Sequence, residues 1–156
     1  MNKSQTNKTL LITGDYPPPF IGGSLVYIHN LVEKSNLTID VLTGPNSESF
    51  YSKQNIRRSR FLVSSKNPSS FQMLIMYLYL FTYFIKISLT REYSSIVFYV
   101  SAIGNGFFAL LAKLLKLKLI IILFAEEITL AQKSKGFKGW LKRFCLKFYS
   151  KADAFV

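Results

Sequence analysis

Two periods of apolar and polar residues alternate along this chain. Thr9–Thr13, Leu37–Thr43, Ser95–Val100 and Lys118–Phe124 are short, nearly unbroken apolar runs. Runs of that length read as strands buried on both faces. Between them, apolar residues recur at helical spacing. Over Leu25–Ser35 the inward stripe is Leu25, Ile28, Leu31 and Val32, with Ser24 placed to cap the helix. Phe71–Leu89, Phe107–Leu117 and Gly136–Lys151 form further helices, and Ala154–Val156 opens another strand. Asn46–Ser70 is polar and punctuated by Ser, Asn and Pro. A short third strand is expected there, beside the apolar run Phe61–Ser64 and the basic residues Arg57, Arg58 and Arg60.

Strand and helix in alternation predict an α/β fold: a Rossmann-like parallel sheet with helices on both faces. Right-handed crossovers gather the strand C-termini along one edge, where ligands of such sheets bind. Pro17–Gly23, Ser101–Gly106 and Phe124–Glu127 are expected to meet at that edge. Residues 1–8 read as a disordered polar tail. Residues 9–156 read as a single domain that ends inside a strand.

Composition narrows the function classes. Hydrophobic residues make up 49% of the chain, enough to bury a core in 156 residues. The net charge of +12 attracts phosphates or anionic lipid. It is concentrated between Lys113 and Lys151, where Glu126 and Glu127 are the only acids. No nucleic-acid recognition module accompanies it. A single cysteine, Cys145, excludes an internal disulfide and multi-thiolate metal sites, and is compatible with a reducing cytosol. The one histidine, His29, leaves none to spare for a nucleophile–histidine pair and reads as structural. Met1–Lys8 is polar and the first apolar run is too short for a secretory signal. The uncharged part of Phe71–Leu89 stops before Lys86, short of the roughly 20 residues a membrane span needs. A buried or membrane-surface helix is expected there.

Three segments carry candidate chemistry. In Pro17–Gly23, three prolines preset extended backbone, and Gly22-Gly23 let backbone N–H groups approach a ligand just before a helix N-terminus. Gly104-Asn105-Gly106-Phe107-Phe108-Ala109 fits the G-x-G-x-x-A dinucleotide fingerprint, with acids about twenty residues on at Glu126 and Glu127. Against that, at least two strands precede it, whereas the fingerprint belongs on the first. In Gly136–Lys151, Phe137, Trp140, Leu141, Phe144 and Phe148 share a face, and Lys138, Lys142 and Arg143 fall away from it. That pattern suits either a docked surface helix or an interfacial helix on anionic lipid.

Asp15-Tyr16-Pro17-Pro18 with Gly22-Gly23, then Val41-Leu42-Thr43, and finally Lys151-Ala152-Asp153-Ala154 occur in an order that resembles the N-terminal domain of family 4 glycosyltransferases. The resemblance spans nearly the whole chain. It implies the N-terminal half of a GT-B fold and transfer of a sugar from a nucleotide-sugar donor to a hydroxyl acceptor, in bacterial polysaccharide or glycolipid synthesis. It implies no cofactor and no bound metal. It also implies a C-terminal donor domain, which these residues do not contain, so the chain alone is expected to be inactive. Gly22, Gly23, Ser101, Glu126 and Glu127 become the candidate substrate-binding residues, with catalytic residues unassigned. Lipid-linked acceptors would place the protein in the cytoplasm, peripheral at the inner face of the membrane. The chain departs from the family where Phe124-Ala125 stands in place of His-Gly, and where Phe98 and Val100 occupy positions that are commonly histidine. Two alternatives stand beside this reading. One is a non-catalytic membrane-associated binding module, or one subunit of a split GT-B enzyme. The other is a dinucleotide-binding Rossmann domain.

Overall fold

The computed structural model describes residues 8–14, 23–45, 55–62, 69–99, 105–122, 129, 133 and 135–155. Its strands are β1 (Lys8–Thr13), β2 (Thr38–Thr43), β3 (Ile56–Arg58), β4 (Ser95–Tyr99), β5 (Lys118–Ile121) and β6 (Ala154–Phe155). The longer helices are α1 (Gly23–Lys34), α2 (Ser70–Thr90), α3 (Asn105–Leu114) and α4 (Gly136–Tyr149). The strands form one parallel sheet in the order β3-β2-β1-β4-β5-β6. This is the order of a doubly wound, Rossmann-like sheet.

Side chains alternate across the strands and build two cores. Leu10, Ile12, Leu42, Ile96, Phe98, Leu119 and Ile121 pack under α2 and α3. Leu11, Ile39, Val41, Val97 and Ile122 pack under Ile28 and Val32 of α1. Helices therefore cover both faces, as the alternation predicts. Leu31, expected to point inward, is instead exposed at the margin of α1.

Several boundaries differ from the sequence reading. Lys8 belongs to β1 rather than to a tail, because its ammonium is held by Asp40 of β2 at 2.7 Å. Residues 1–7 lie outside the described part. The third strand, expected within Asn46–Ser70 without bounds, is Ile56–Arg58. Parallel pairing with Val41–Thr43 selects these residues, and Phe61-Leu62 turns back over the core. α1 begins at Gly23, which places Ser24 inside the helix rather than at its cap. α2 begins at Ser70, where Ser69 and Gln72 form a reciprocal capping box (2.9 and 3.2 Å).

α3 stops at Leu114, three residues earlier than its apolar pattern suggests. Leu117 N–H donates to Ala112 C=O and Lys116 N–H to Lys113 C=O (2.9 and 3.2 Å), a Schellman closure. That closure needs a left-handed residue, and Lys116 takes it with φ 56°. A side chain in that conformation is strained. Lys116→Gly is expected to stabilise the fold by about 1 kcal/mol, read as a higher urea midpoint. An unchanged midpoint would mean that the turn bears no strain.

Candidate functional site

Successive connections leave β1 and β4 toward opposite faces. α1, after β1, covers one face; α3, after β4, covers the other. β1 and β4 are neighbours, and their last residues, Thr13 and Tyr99, are register partners. The sheet's topological switch point thus lies between these two strand ends, where open α/β sheets bind ligands. The exits are tied together. Gly44 N–H donates to Gly14 C=O (3.0 Å), Ser59 N–H to Thr43 C=O (2.8 Å), and Ile122 N–H to Phe98 C=O (3.2 Å).

Of the candidate binding residues, Gly23 is described: it is the first residue of α1, so its N–H is among those at the positive end of the helix. Gly22, Ser101, Glu126 and Glu127 lie outside the described residues, as do Phe124, Ala125 and Val100. Their described flanks are Gly14 and Gly23, Tyr99 and Asn105, and Ile122 and Thr129.

Phe98 can be placed. It is fully buried and packs against Phe84 of α2 and Phe108 of α3, at centroid distances of 6.0 and 5.3 Å. Its ring is part of the core. Gly106, the second glycine of the fingerprint-like motif, lies within the first turn of α3. A Cβ there would overlap the Cys145 carbonyl oxygen of α4 and stand 2.7 Å from its carbon. Its missing side chain is taken up by helix packing.

One polar group at this edge was not anticipated. Thr43 ends β2 fully buried, and its Oγ1 has no hydrogen-bond partner among the described residues. Residue parity places it on the α1 face, as it does Thr13. Its position at a strand C-terminus was the available signal; a threonine in a β-rich run reads as ordinary strand composition. Asp153, in the Lys-Ala-Asp step, is committed to structure: its carboxylate accepts from Leu119 N–H (2.8 Å), while its own N–H donates to Leu119 C=O (2.9 Å).

The strongest charged cluster lies toward the opposite edge. Asp40 is fully buried in β2. Its carboxylate is ion-paired to Lys8 at 2.7 Å, accepts from Tyr93 Oη at 2.9 Å and from Asn55 Nδ2 at 3.4 Å, and has Arg57 at 3.9 Å. Arg57 also pairs with Glu92 at 3.0 Å. Burial pushes the Asp40 carboxyl up, but the bonds from Lys8, Tyr93 and Asn55 and the Lys8 charge outweigh it and hold it below its ordinary value. Burial, then the bond to Asp40, raises the Tyr93 phenol far above its ordinary range. Tyr93 and Lys8 precede or open their strands, so this network staples strand N-termini and stands away from the switch point.

Among the described residues, no three His, Cys, Asp or Glu side chains are grouped to hold a metal ion. Compared with models of known protein families and with curated proteins, the chain matches none.

Proposed function

We propose that this chain is the acceptor-side domain of a glycosyltransferase of the two-domain GT-B class, working at a membrane on a glycan or lipid-linked acceptor. The observation that carries the reading is the coincidence of the Pro17–Gly23 loop with the β1 exit at the switch point, leading into a helix whose first residue is Gly23. Backbone N–H groups at a helix start suit a phosphate or a sugar hydroxyl. In this reading Gly22 and Gly23 line one wall of the cleft, with Ser101, Glu126 and Glu127 on neighbouring loops. A second domain holds the donor nucleotide.

The geometry weighs against the dinucleotide alternative. The glycine-rich loop on the first strand lacks the fingerprint, and Gly106, which belongs to the fingerprint-like motif, is packed on α4. The binding-module alternative draws on Phe124, which can neither donate nor accept the hydrogen bond that a histidine there would make.

A donor-binding Rossmann-like domain with a Glu-x-x-x-x-x-x-x-Glu signature is expected to complete the enzyme. Mixed with that domain, the chain should transfer sugar from a nucleotide-sugar to a lipid-linked acceptor. Replacing Gly22 and Gly23 by alanine should lower transfer by about tenfold or more with the thermal midpoint retained. If the mixture transfers nothing while this chain still binds membranes, the enzyme reading falls and the binding module remains.

A further inference from the structure

We propose that the layer formed by α2, α3 and α4 is a docking surface for an anionic lipid bilayer. This deepens the membrane part of the reading above. Its test is separate, because vesicle binding and sugar transfer can fail independently.

α2 is apolar on two opposite sides. Met76, Leu80, Phe84 and Ile87 are buried against the sheet. On the far side, Phe71, Leu74, Leu78, Phe81, Ile85 and Leu89 recur every three or four residues and form one stripe along the helix. Phe71 is 70% exposed, Leu78 59% and Leu89 80%. At 1.5 Å per residue the helix extends about 32 Å, so this is a long apolar strip for a soluble surface.

The strip continues onto α3. Phe107 of α3 is exposed and stacks on Phe81 at 6.4 Å. α3 crosses α4 at Gly106 and Cys145, the residues immediately beside Phe107 and Phe144. Among the described side chains of α4, Gly139, Cys145 and Tyr149 are buried. The sequence pattern left Trp140 and Phe144 either to a docked face or to a lipid-facing one; they stand 53% and 42% exposed, stacked on each other at 5.4 Å.

Charge selects the occupant. These helices carry Lys86, Lys113, Lys138, Lys142, Arg143 and Lys147, and neither Asp nor Glu. α1, on the other face of the sheet, carries one residue of each sign, Glu33 and Lys34. A second copy would set two like-charged layers against each other. An anionic bilayer offers hydrocarbon to the stripe and negative headgroups to the lysines, with an exposed tryptophan suited to the interface.

Trp140 is the chain's single tryptophan, so its emission reports on this surface alone. The 156-residue chain should co-sediment with vesicles of phosphatidylglycerol and phosphatidylcholine at low salt, with a blue shift of Trp140. Binding should weaken by about tenfold or more on pure phosphatidylcholine and at high salt. The double variant Leu74→Ser/Leu78→Ser should bind about tenfold more weakly at an unchanged melting temperature, since both residues are exposed. Absence of binding to the anionic vesicles, or equal binding by the double variant, would overturn the proposal. So would light scattering showing a dimer that the double variant converts to a monomer, which would assign the stripe to a second copy.

Discussion

Asp40→Ala is expected to destabilise the fold by about 3 kcal/mol, measured as the shift in urea unfolding. The carboxylate is buried and receives Lys8, Tyr93 and Asn55 at once. Removing it leaves the buried Tyr93 hydroxyl without its acceptor and the Lys8 ammonium without its counter-charge. Losing one partner of a buried pair costs roughly 3–5 kcal/mol. The lower end applies because the Lys8 side chain is 25% exposed and can turn toward water. Asp40→Asn keeps the shape and an acceptor for Tyr93, and should cost less. A loss below about 1 kcal/mol for the alanine variant would show that the network does not hold the strands together.

The same carboxylate gives the fold an acid-sensitive component. Its folded pKa is depressed, so the unfolded chain binds the proton first as pH falls. The stabilisation is complete above the unfolded carboxylate value of about 3.9 and is lost as pH drops through the lower folded value. Wild-type stability should therefore fall below about pH 4, and Asp40→Asn should lessen that fall.

Gly106→Ala should cost about 3 kcal/mol, at the upper end for overpacking. The added methyl would meet the Cys145 carbonyl, and stand 3.2 Å from its Cα as well. These are backbone atoms, so no rotamer change relieves the overlap, and α3 and α4 must move apart. For a chain of this size the loss corresponds to a melting temperature lower by about 6–12 °C. Cys145 supplies a second readout. It is buried in the wild type, and burial raises its thiol pKa, so it should react slowly with a thiol reagent. Gly106→Ala should speed that reaction, because the same movement opens the helix contact. Wild-type stability together with a protected thiol would refute the close crossing.

Much of the architecture was legible in the sequence because it depends on local patterns. Apolar runs such as Leu10–Ile12 and Leu119–Ile121 cannot be solvated, and their length forbids a helix, so strand and order follow. Ser69 and Gln72 spell a capping box, but the apolar pattern alone starts α2 at Phe71, one residue late. The third strand was harder: Ile56–Arg58 is mostly exposed at the sheet's edge, and its pairing with β2 carries no apolar signature. The Lys116 turn was invisible, since nothing in a lysine announces a left-handed backbone. Of the candidate site, the sequence marked the Pro/Gly loop, and the sheet order gave its exit a position at the switch point. The buried hydroxyl of Thr43 appeared only with the fold.

The sequence by itself determined which segments are strands and helices, their right-handed parallel connection, and the basic bias toward the C-terminal part, because these depend on residue type and spacing. Tertiary structure decided what each ambiguous group is for. Gly106 has the freedom of a ligand loop, but a neighbouring helix fills the space. Asp40 reads as a stray charge in a strand, but Lys8 and Tyr93 converge on it from other elements. α2 is apolar on two opposite sides, so its pattern does not say which of them is buried. Only packing against the sheet selects one side for burial and leaves the opposite side, with Trp140 and Phe144 of α4, facing out.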